Sequence, residues 1–349
     1  MSVKYMKLLS LVVPTYNMEK YIARCLDTVT DAMVPSTLEV IVVNDGSKDK
    51  SLEIIREYEK KRPDIITVID KANGHYGSCI NAALAIAKGK YLRMLDADDW
   101  FDTGALIELL KRLETCDTDL FITLRTEYKV KKNGSIEVKQ FPFSTVEYNK
   151  VYQMQDFEIE SHVTGREFNM HSMAYKTEVL RKVGLKHIEG ICYTDIQYCF
   201  LPIDRIKDFI VFDLYLYYYF IGRDDQSTSA VSLLRNYNHV IKVISFVLDY
   251  MDKSYSNNSK ITVSNQRYFL SEIYNMFINS LRWHKQLTKD EYAVVEDIIK
   301  RAEKYKTESK IMNKFYFKLY KRAKSRKVLN MIIGSYQKVH FQKRKRFKI

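Results

Sequence analysis

The chain has 349 residues, with 56 Lys and Arg against 43 Asp and Glu, so its formal net charge is +13. At 46% hydrophobic residues, with only 11 Gly and 5 Pro, the composition excludes a wholly disordered, collagen-like or Pro-rich protein. The length suggests two domains, or one large domain with an appendage. The 5 cysteines are scattered and form no CxxC pair, so neither a zinc site nor a disulfide framework is predicted.

The first 125 residues alternate apolar strands with helices. Strands are predicted over 8–14, 38–44, 65–69, 91–95 and 120–125, and helices over 21–29, 51–60, 78–87 and 103–113. Alternation with short connections predicts a doubly wound, mostly parallel α/β sheet of the Rossmann-like type. Ligands of such sheets bind beyond the carboxyl ends of the strands, so the polar residues after each strand are the candidate site.

Beyond residue 126 the pattern becomes mixed and then helical. A β-hairpin is predicted over 127–140 around Lys132-Asn133-Gly134, followed by short strands over 173–175 and 211–219 and a helix near 195–201. After residue 227, helices are predicted over 233–250, 266–283 and 288–302, and the last opens on the capping box Thr288-x-x-Glu291. The α/β region is therefore followed by a helical C-terminal region.

The excess of positive over negative charge is confined to the end of the chain. Residues 301–349 hold 17 Lys and Arg and only 2 Asp and Glu, so the preceding 300 residues are close to neutral. Ile311, Phe315, Leu319 and Ala323 recur at four-residue spacing between lysines, which predicts a basic amphipathic helix. An anionic membrane surface or a nucleic acid would match this tail, and a merely solubilising face is the alternative. Because the sequence lacks a signal-peptide pattern and a membrane-spanning run, we expect a cytoplasmic protein.

Three polar clusters follow predicted strands. They are Val13-Pro14-Thr15-Tyr16-Asn17, Asn44-Asp45-Gly46-Ser47 and Asp96-Ala97-Asp98-Asp99-Trp100. Packed carboxylates repel one another unless a cation neutralises them, and oxygen ligands favour Mg²⁺ or Mn²⁺, which commonly bridges substrate phosphates. A solvated acidic turn that caps the next helix is the alternative. The sequence contains no GxxxxGK[ST] loop and no GxGxxG after the first strand, so it is neither a P-loop nor an ordinary dinucleotide enzyme.

Four motifs in order, VVPTYN, NDGS, NGHYGSCIN and YLRMLDADDW, resemble the family 2 glycosyltransferases, inverting enzymes of the GT-A fold. The resemblance covers about residues 8–225. It implies a catalytic domain over 1–226, with a nucleotide-binding half (1–125) and an acceptor half (126–226). A helical region over 227–302 and a basic amphipathic tail over 303–349 then complete the chain.

The resemblance also implies roles for individual residues. Those expected at the nucleotide sugar are Pro14, Thr15, Tyr16, Asp45, Lys71, Gly74, Asn81, Asp96 and Arg223, the last on a loop that closes over the diphosphate. Asp96 and Asp98 match the DxD motif and are expected to bind Mn²⁺ or Mg²⁺, with Asp99 as a possible third ligand. The chain departs from the family before Asn81, where an Arg is usual.

An inverting transfer needs a base for the acceptor hydroxyl. In the family this base starts a helix about a hundred residues after DxD, and Asp195 in Cys192-Tyr193-Thr194-Asp195-Ile196 is the matching carboxylate. Thr194 stands where the family commonly has Glu. A plain helix N-cap is the alternative for Asp195, and Glu189 is then the next candidate base.

The sequence allows two roles for each of three other residues near the site. His162 and His171 could touch the acceptor or be structural, and Trp100 is expected beside the acidic turn or under the acceptor.

The resulting expectation is a metal-dependent transferase that moves a hexose from a nucleotide sugar, most simply UDP-linked, to a hydroxyl of a growing surface glycan. A lipid-linked acceptor would explain the basic tail, which is expected to hold the enzyme at the inner face of the cell membrane. Two other functions stay open: a nucleic-acid-binding protein that uses the tail, and a sugar nucleotidyltransferase. The acidic clusters oppose the first, so no nucleic acid partner is expected. The second would need a Gly-rich basic loop after the first strand, which is missing.

Overall fold

The structure is a computed structural model that describes residues 7–131, 133–163, 167–222, 230–254, 257–283, 287–305, 327–331 and 333. The chain divides into two compact units, residues 1–222 and 223–349. Among the described residues, no helix is both long enough and apolar enough to cross a lipid bilayer.

The first unit is built on one ten-stranded sheet. Its strands are β1 (Leu9–Thr15), β2 (Leu38–Asp45), β3 (Ile66–Lys71), β4 (Tyr91–Met94), β5 (Trp100–Phe101), β6 (Leu120–Val130), β7 (Ile136–Phe141), β8 (Val151–Gln153), β9 (Met173–Lys176) and β10 (Asp208–Ile221). Its helices are α1 (Ile22–Thr30), α2 (Ser51–Lys61), α3 (His75–Ile86), α4 (Thr103–Leu113), α5 (Ile159–His162), α6 (Thr177–Lys182) and α7 (Asp195–Phe200), with a 3₁₀ turn at Met154–Asp156.

The strands lie in the order β3-β2-β1-β4-β9-β6-β10-β5, while β7 pairs with β6 and β8 with β10. The pairs of β1 with β2 and β4, of β2 with β3, and of β6 with β10 are parallel. The prediction of a mostly parallel α/β sheet is therefore confirmed. The sheet departs from a simple doubly wound one, because β5, β7 and β8 pair antiparallel with their neighbours and β9 lies antiparallel between β4 and β6. This insertion brings a segment from the second half of the unit against the end of β4.

The central strands are held by apolar burial. Every residue of β1 and β2 is buried, as expected for parallel strands covered on both faces. Their side chains pack with the apolar faces of α1 and α4 in one continuous core. The predicted strand over 120–125 and the first arm of the predicted hairpin form a single long strand, β6, and the turn to β7 lies where Asn133-Gly134 indicated it.

The second unit is helical. It contains α8 (Ala230–Arg235), α9 (Tyr237–Ser254), α10 (Lys260–Trp283) and α11 (Lys289–Lys304), and residues 327–331 are also helical. The predicted capping box is present, because Thr288 and Glu291 bond each other's backbone N–H groups. On α9, Asp252 accepts hydrogen bonds from Arg301 and Lys304 of α11, which ties these two helices together.

Candidate active site

The residues after β1 divide into buried and exposed members. Pro14 and Thr15 lie inside the fully buried strand, and the Thr15 hydroxyl donates to the Val13 carbonyl. Tyr16 is 45% exposed at the carboxyl edge of the sheet. Asn17 has a left-handed φ of 54° and donates from its backbone N–H to the Ser47 hydroxyl, which joins the loops after β1 and β2. Of the predicted set, Tyr16 is therefore the side chain that this edge presents.

Asp45, at the end of β2, is a buried carboxylate with its partners in place. Its Oδ1 accepts from Lys71 Nζ at 2.7 Å and from the Gly74 backbone N–H at 2.9 Å. Lys71 also donates to the Ser78 hydroxyl and to the Ala72 carbonyl. Lys71 and Gly74 thus orient Asp45, and the structure brings together three of the predicted nucleotide-binding residues.

Asn81 is directed elsewhere. Its amide donates to the His187 carbonyl at 3.0 Å and to Glu189 Oε1 at 2.9 Å, and its oxygen accepts from the His187 N–H at 2.8 Å. Gly77 allows this close approach, because a Cβ there would lie 2.7 Å from the His187 Cβ. Asn81 therefore fastens the segment that precedes α7 onto α3.

The acidic turn after β4 is held from β10. The Tyr217 hydroxyl donates to Asp99 Oδ2 at 2.6 Å and accepts from the Asp96 N–H at 3.2 Å, and the Phe220 N–H donates to Asp99 Oδ1 at 2.7 Å. Burial and the charges of Asp98 and Asp96 raise the pKa of the Asp99 carboxyl well above its usual range. Asp99 consequently ties the acidic turn to β10 through buried hydrogen bonds.

A cation supports the turn from the α1 side. Arg24 donates to the Asp98 carbonyl at 2.7 Å, and its guanidinium carbon lies 4.0 Å from the centre of the Trp100 ring and 4.8 Å from that of Phe220. Trp100 also stacks on Tyr218, with ring centres 5.4 Å apart. Trp100 therefore packs beside the acidic turn, which is the first of the two positions that the sequence analysis considered.

Three side chains form a cluster that could hold a metal ion. Asp96, Asp99 and His171 each offer a ligand atom, and these atoms lie within 4.8 Å of one another. That spacing fits one divalent ion with bonds of roughly 2.0–2.3 Å. His171 Nε2 lies 3.4 Å from Asp96 Oδ2, and its Nδ1 lies 3.2 Å from Asn169 Oδ1. An outer partner of this kind is typical of metal-binding histidines, so the donor set fits such an ion.

The cluster differs from the predicted ligand pair. Asp96 belongs to the cluster. In the described part of the chain, Asp98 is not one of its members. The sequence carried no local signal for His171, since an isolated His is common in protein cores. His171 lies two residues before the start of β9, and the antiparallel pairing of β9 with β4 places it beside the turn that follows β4. His162 instead stacks on Phe157, and its Nδ1 lies 2.9 Å from the Glu158 carbonyl oxygen.

Asp195 is the first residue of α7 and is half-buried. The helix N-cap is Thr194, so Asp195 does not occupy the capping position itself. Burial raises the pKa of the Asp195 carboxyl; His171 lowers it and Asp96 raises it further. These interactions place Asp195 in the electrostatic field of the acidic turn. Glu189, the alternative base, accepts from Asn81. Arg223 lies outside the described residues.

The chain is similar in sequence to known glycosyltransferases. Residues 10–183 match the sequence model of Glycosyl transferase family 2. Chondroitin synthase of Pasteurella multocida (strain Pm70) is 31% identical over 200 residues, which are 54% of this chain and 20% of that protein. Poly(ribitol-phosphate) beta-glucosyltransferase of Bacillus spizizenii is 28% identical over 224 residues, 64% of this chain and 33% of that protein.

The solved structures agree on the fold. S. aureus TarS 1–349 in complex with UDP-GlcNAc superposes with a TM-score of 0.62 at 20% identity, over 95% of this chain and 92% of that one. The fold is thus of the GT-A type, followed by a helical region. The chain belongs to family 2 of the glycosyltransferases. It spans only a fifth to a third of the length of the curated relatives described above.

Proposed function

We propose that the protein is an inverting, metal-dependent glycosyltransferase that moves a hexose from a UDP-sugar to a hydroxyl of a growing surface glycan. The observation that carries this proposal is the meeting of two groups at one region of the first unit. One is the cluster of Asp96, Asp99 and His171, and the other is Asp195, whose pKa responds to Asp96 and His171. The UDP and UDP-GlcNAc complexes of TarS support a UDP-linked donor, and the names of the curated relatives support a polymeric glycan acceptor.

The residues divide the chemistry between them. Tyr16 and Asp45 contribute to the nucleotide pocket, and Lys71 and Gly74 hold Asp45 in place. Asp96 and His171 would hold Mn²⁺ or Mg²⁺, and the imidazole nitrogen in this donor set favours Mn²⁺. When bound, the ion offsets negative charge on the leaving diphosphate.

Asp195 acts on the acceptor. Its carboxylate takes the proton of the acceptor hydroxyl as that oxygen attacks the anomeric carbon, while the bond from this carbon to the UDP oxygen breaks on the opposite face. One in-line displacement leaves the configuration of the sugar inverted. A raised pKa suits this role, because it makes the Asp195 carboxylate a better proton acceptor near neutral pH.

The acceptor and the place of action complete the proposal. A lipid-linked glycan at the cytoplasmic face of the membrane would account for the basic residues 303–349, which would attach the enzyme peripherally. Two predicted roles remain proposals because their residues lie outside the described part of the chain. They are the closing of the Arg223 loop over the diphosphate and the attachment of the 311–323 helix to the membrane.

A screen of nucleotide sugars tests the function. Thermal shift with each sugar nucleotide and Mn²⁺ identifies the donor, and release of UDP then reports turnover. We expect Asp96→Asn and His171→Ala to lose Mn²⁺-dependent UDP binding, while Asp117→Asn, an exposed carboxylate whose ion pairs lie with Lys90 and Lys176, behaves as the wild type. Asp98→Asn tests the metal-ligand pair Asp96 and Asp98 that the sequence predicts, and loss of Mn²⁺-dependent UDP binding in this variant would support that pair. A wild-type protein that binds a labelled oligonucleotide and no UDP-sugar would contradict the proposal.

A further inference from the structure

Tyr76 joins the nucleotide side of the site to the acidic turn. It is the second residue of α3, and its hydroxyl donates to Asp96 Oδ1 at 2.8 Å. The same hydroxyl lies 3.1 Å from the Met170 sulfur, next to His171. Asp96 therefore has one oxygen on Tyr76, and its other oxygen is the one that faces His171 Nε2.

The backbone before Tyr76 explains its direction. His75 has a left-handed φ of 63°, a conformation that a residue with a side chain adopts at an energetic cost, and such positions cluster at functional sites. One residue earlier, the Gly74 N–H donates to Asp45 Oδ1. The short segment Gly74–Tyr76 thus contacts Asp45 at one end and Asp96 at the other.

The Tyr76 hydroxyl remains a donor. A phenol keeps its proton at neutral pH, so the Tyr76 hydroxyl donates to the Asp96 carboxylate and holds it in one orientation.

We propose that Tyr76 is a positioning residue that orients Asp96 toward the metal ion. This inference rests on the proposed function. Tyr76 touches Asp96 but is not itself assigned to substrate or metal. Loss of an outer hydrogen bond of this kind lowers metal affinity by roughly 10–100-fold.

Tyr76→Phe removes the hydroxyl and keeps the ring. Titration calorimetry of Mn²⁺ into UDP-saturated protein is expected to show at least a tenfold weaker affinity, with metal-free UDP binding in EDTA unchanged. Tyr58→Phe is the matched control, because Tyr58 also donates to a carboxylate, Asp27 Oδ1, but between α2 and α1. Equal Mn²⁺ affinity in wild type and Tyr76→Phe would overturn the inference. A wild type without Mn²⁺-dependent UDP binding would instead overturn the proposed function, and Tyr76's role with it.

A second measurement does not depend on the metal. Thermal unfolding in EDTA is compared for wild type, Tyr76→Phe, Asp96→Ala, which removes the acceptor, and the double variant. If Tyr76 acts through Asp96, the effects of the two changes are not additive. Additive shifts in the unfolding midpoint would show that the bond between them has no energetic role and would reject the proposal.

Discussion

At the scale of single residues, the carboxylates of the site are held by different means. Asp45 forms an ion pair with Lys71, whereas the buried Asp99 accepts hydrogen bonds from the neutral Tyr217 hydroxyl and the Phe220 N–H. Neutral donors stabilise a buried carboxylate less completely than a cation does, so burial still raises the pKa of Asp99. The two donors from β10 therefore hold Asp99 in place within the cluster of Asp96, Asp99 and His171.

Asp195→Asn is expected to lower kcat by roughly a hundredfold or more, the usual contribution of a general base, and to leave UDP affinity close to that of the wild type. The physical reason is that Asp195 meets the acceptor and not the nucleotide. Steady-state kinetics and calorimetry with UDP measure the two effects. Should UDP affinity fall while transfer persists, Asp195 is structural and Glu189 becomes the candidate.

The pH profile tests the same assignment. A base must be deprotonated, so kcat of the wild type is expected to fall as the pH drops through the raised pKa of Asp195. This acid limb lies above the range of an ordinary Asp. It should be missing from the residual activity of Asp195→Asn.

A buried histidine near α7 makes stability depend on pH. Burial lowers the pKa of His187 to about 4, and its Nδ1 lies 2.9 Å from the Thr194 carbonyl oxygen. The folded state therefore binds this proton less readily than the unfolded state does. Stability from this group is complete above the ordinary pKa of His and is lost as the pH falls from about 6.5 toward 4.

His187→Asn removes this titration. Between pH 7 and pH 5 the wild type is expected to lose about 2 kcal/mol more unfolding free energy than His187→Asn, which follows from 1.4 kcal/mol per pH unit below 6.5. Urea denaturation of both proteins at the two pH values measures the difference. Equal losses would mean that His187 is accessible to protons in the folded state.

At the scale of elements, the segment between α6 and α7 depends on α3. Asn81 bonds both backbone groups of His187 and the side chain of Glu189, and the Gly190 N–H donates to the Gly74 carbonyl. Tyr193, with a φ of 66°, then leads into Asp195. The position of Asp195 thus rests on contacts with a helix more than a hundred residues earlier in the chain.

Asn81→Ala is expected to lower kcat about tenfold or more with little change in UDP affinity, because it releases the segment that carries Asp195. Asn73→Ala is the contrasting variant. Asn73 donates to the Asp45 carbonyl, so its loss is expected to weaken UDP binding instead. Steady-state kinetics measures kcat of both variants, and calorimetry measures their affinity for UDP. A loss of UDP affinity in Asn81→Ala would favour the role that the family resemblance implies.

At the scale of the whole molecule, charge and catalysis are separated along the chain. The site lies in the first unit, whereas residues 301–349 hold the positive excess. Part of this region is packed, because Tyr305, Leu329 and Ile333 are buried and Asn330 accepts from the Leu287 N–H. A truncation after Ala302 would therefore remove buried residues along with the charge, and a charge substitution is the cleaner experiment.

Replacing Lys343, Arg344, Lys345 and Arg346 by Gln is expected to weaken binding to anionic vesicles at least tenfold, since each cation near such a surface contributes about 1 kcal/mol. Sedimentation with phosphatidylserine vesicles at low and high salt measures the binding, and neutral phosphatidylcholine vesicles are the control. UDP binding should not change. If the unsubstituted chain does not sediment with anionic vesicles at low salt, membrane attachment by the tail is wrong.

The order of the main strands and helices and the motifs at the strand ends could be predicted from local sequence patterns. Apolar runs such as Leu9–Val13 and the acidic turn after β4 are local patterns, and local periodicity and turn chemistry are sufficient to predict them. The tertiary structure decided which distant residues meet. His171 reaches Asp96 only because β9 pairs antiparallel with β4, and Tyr76 reaches the same carboxylate because His75 turns the start of α3 inward. Such contacts depend on strand pairing and backbone conformation between residues far apart in the chain, and neither leaves a periodic trace in the sequence.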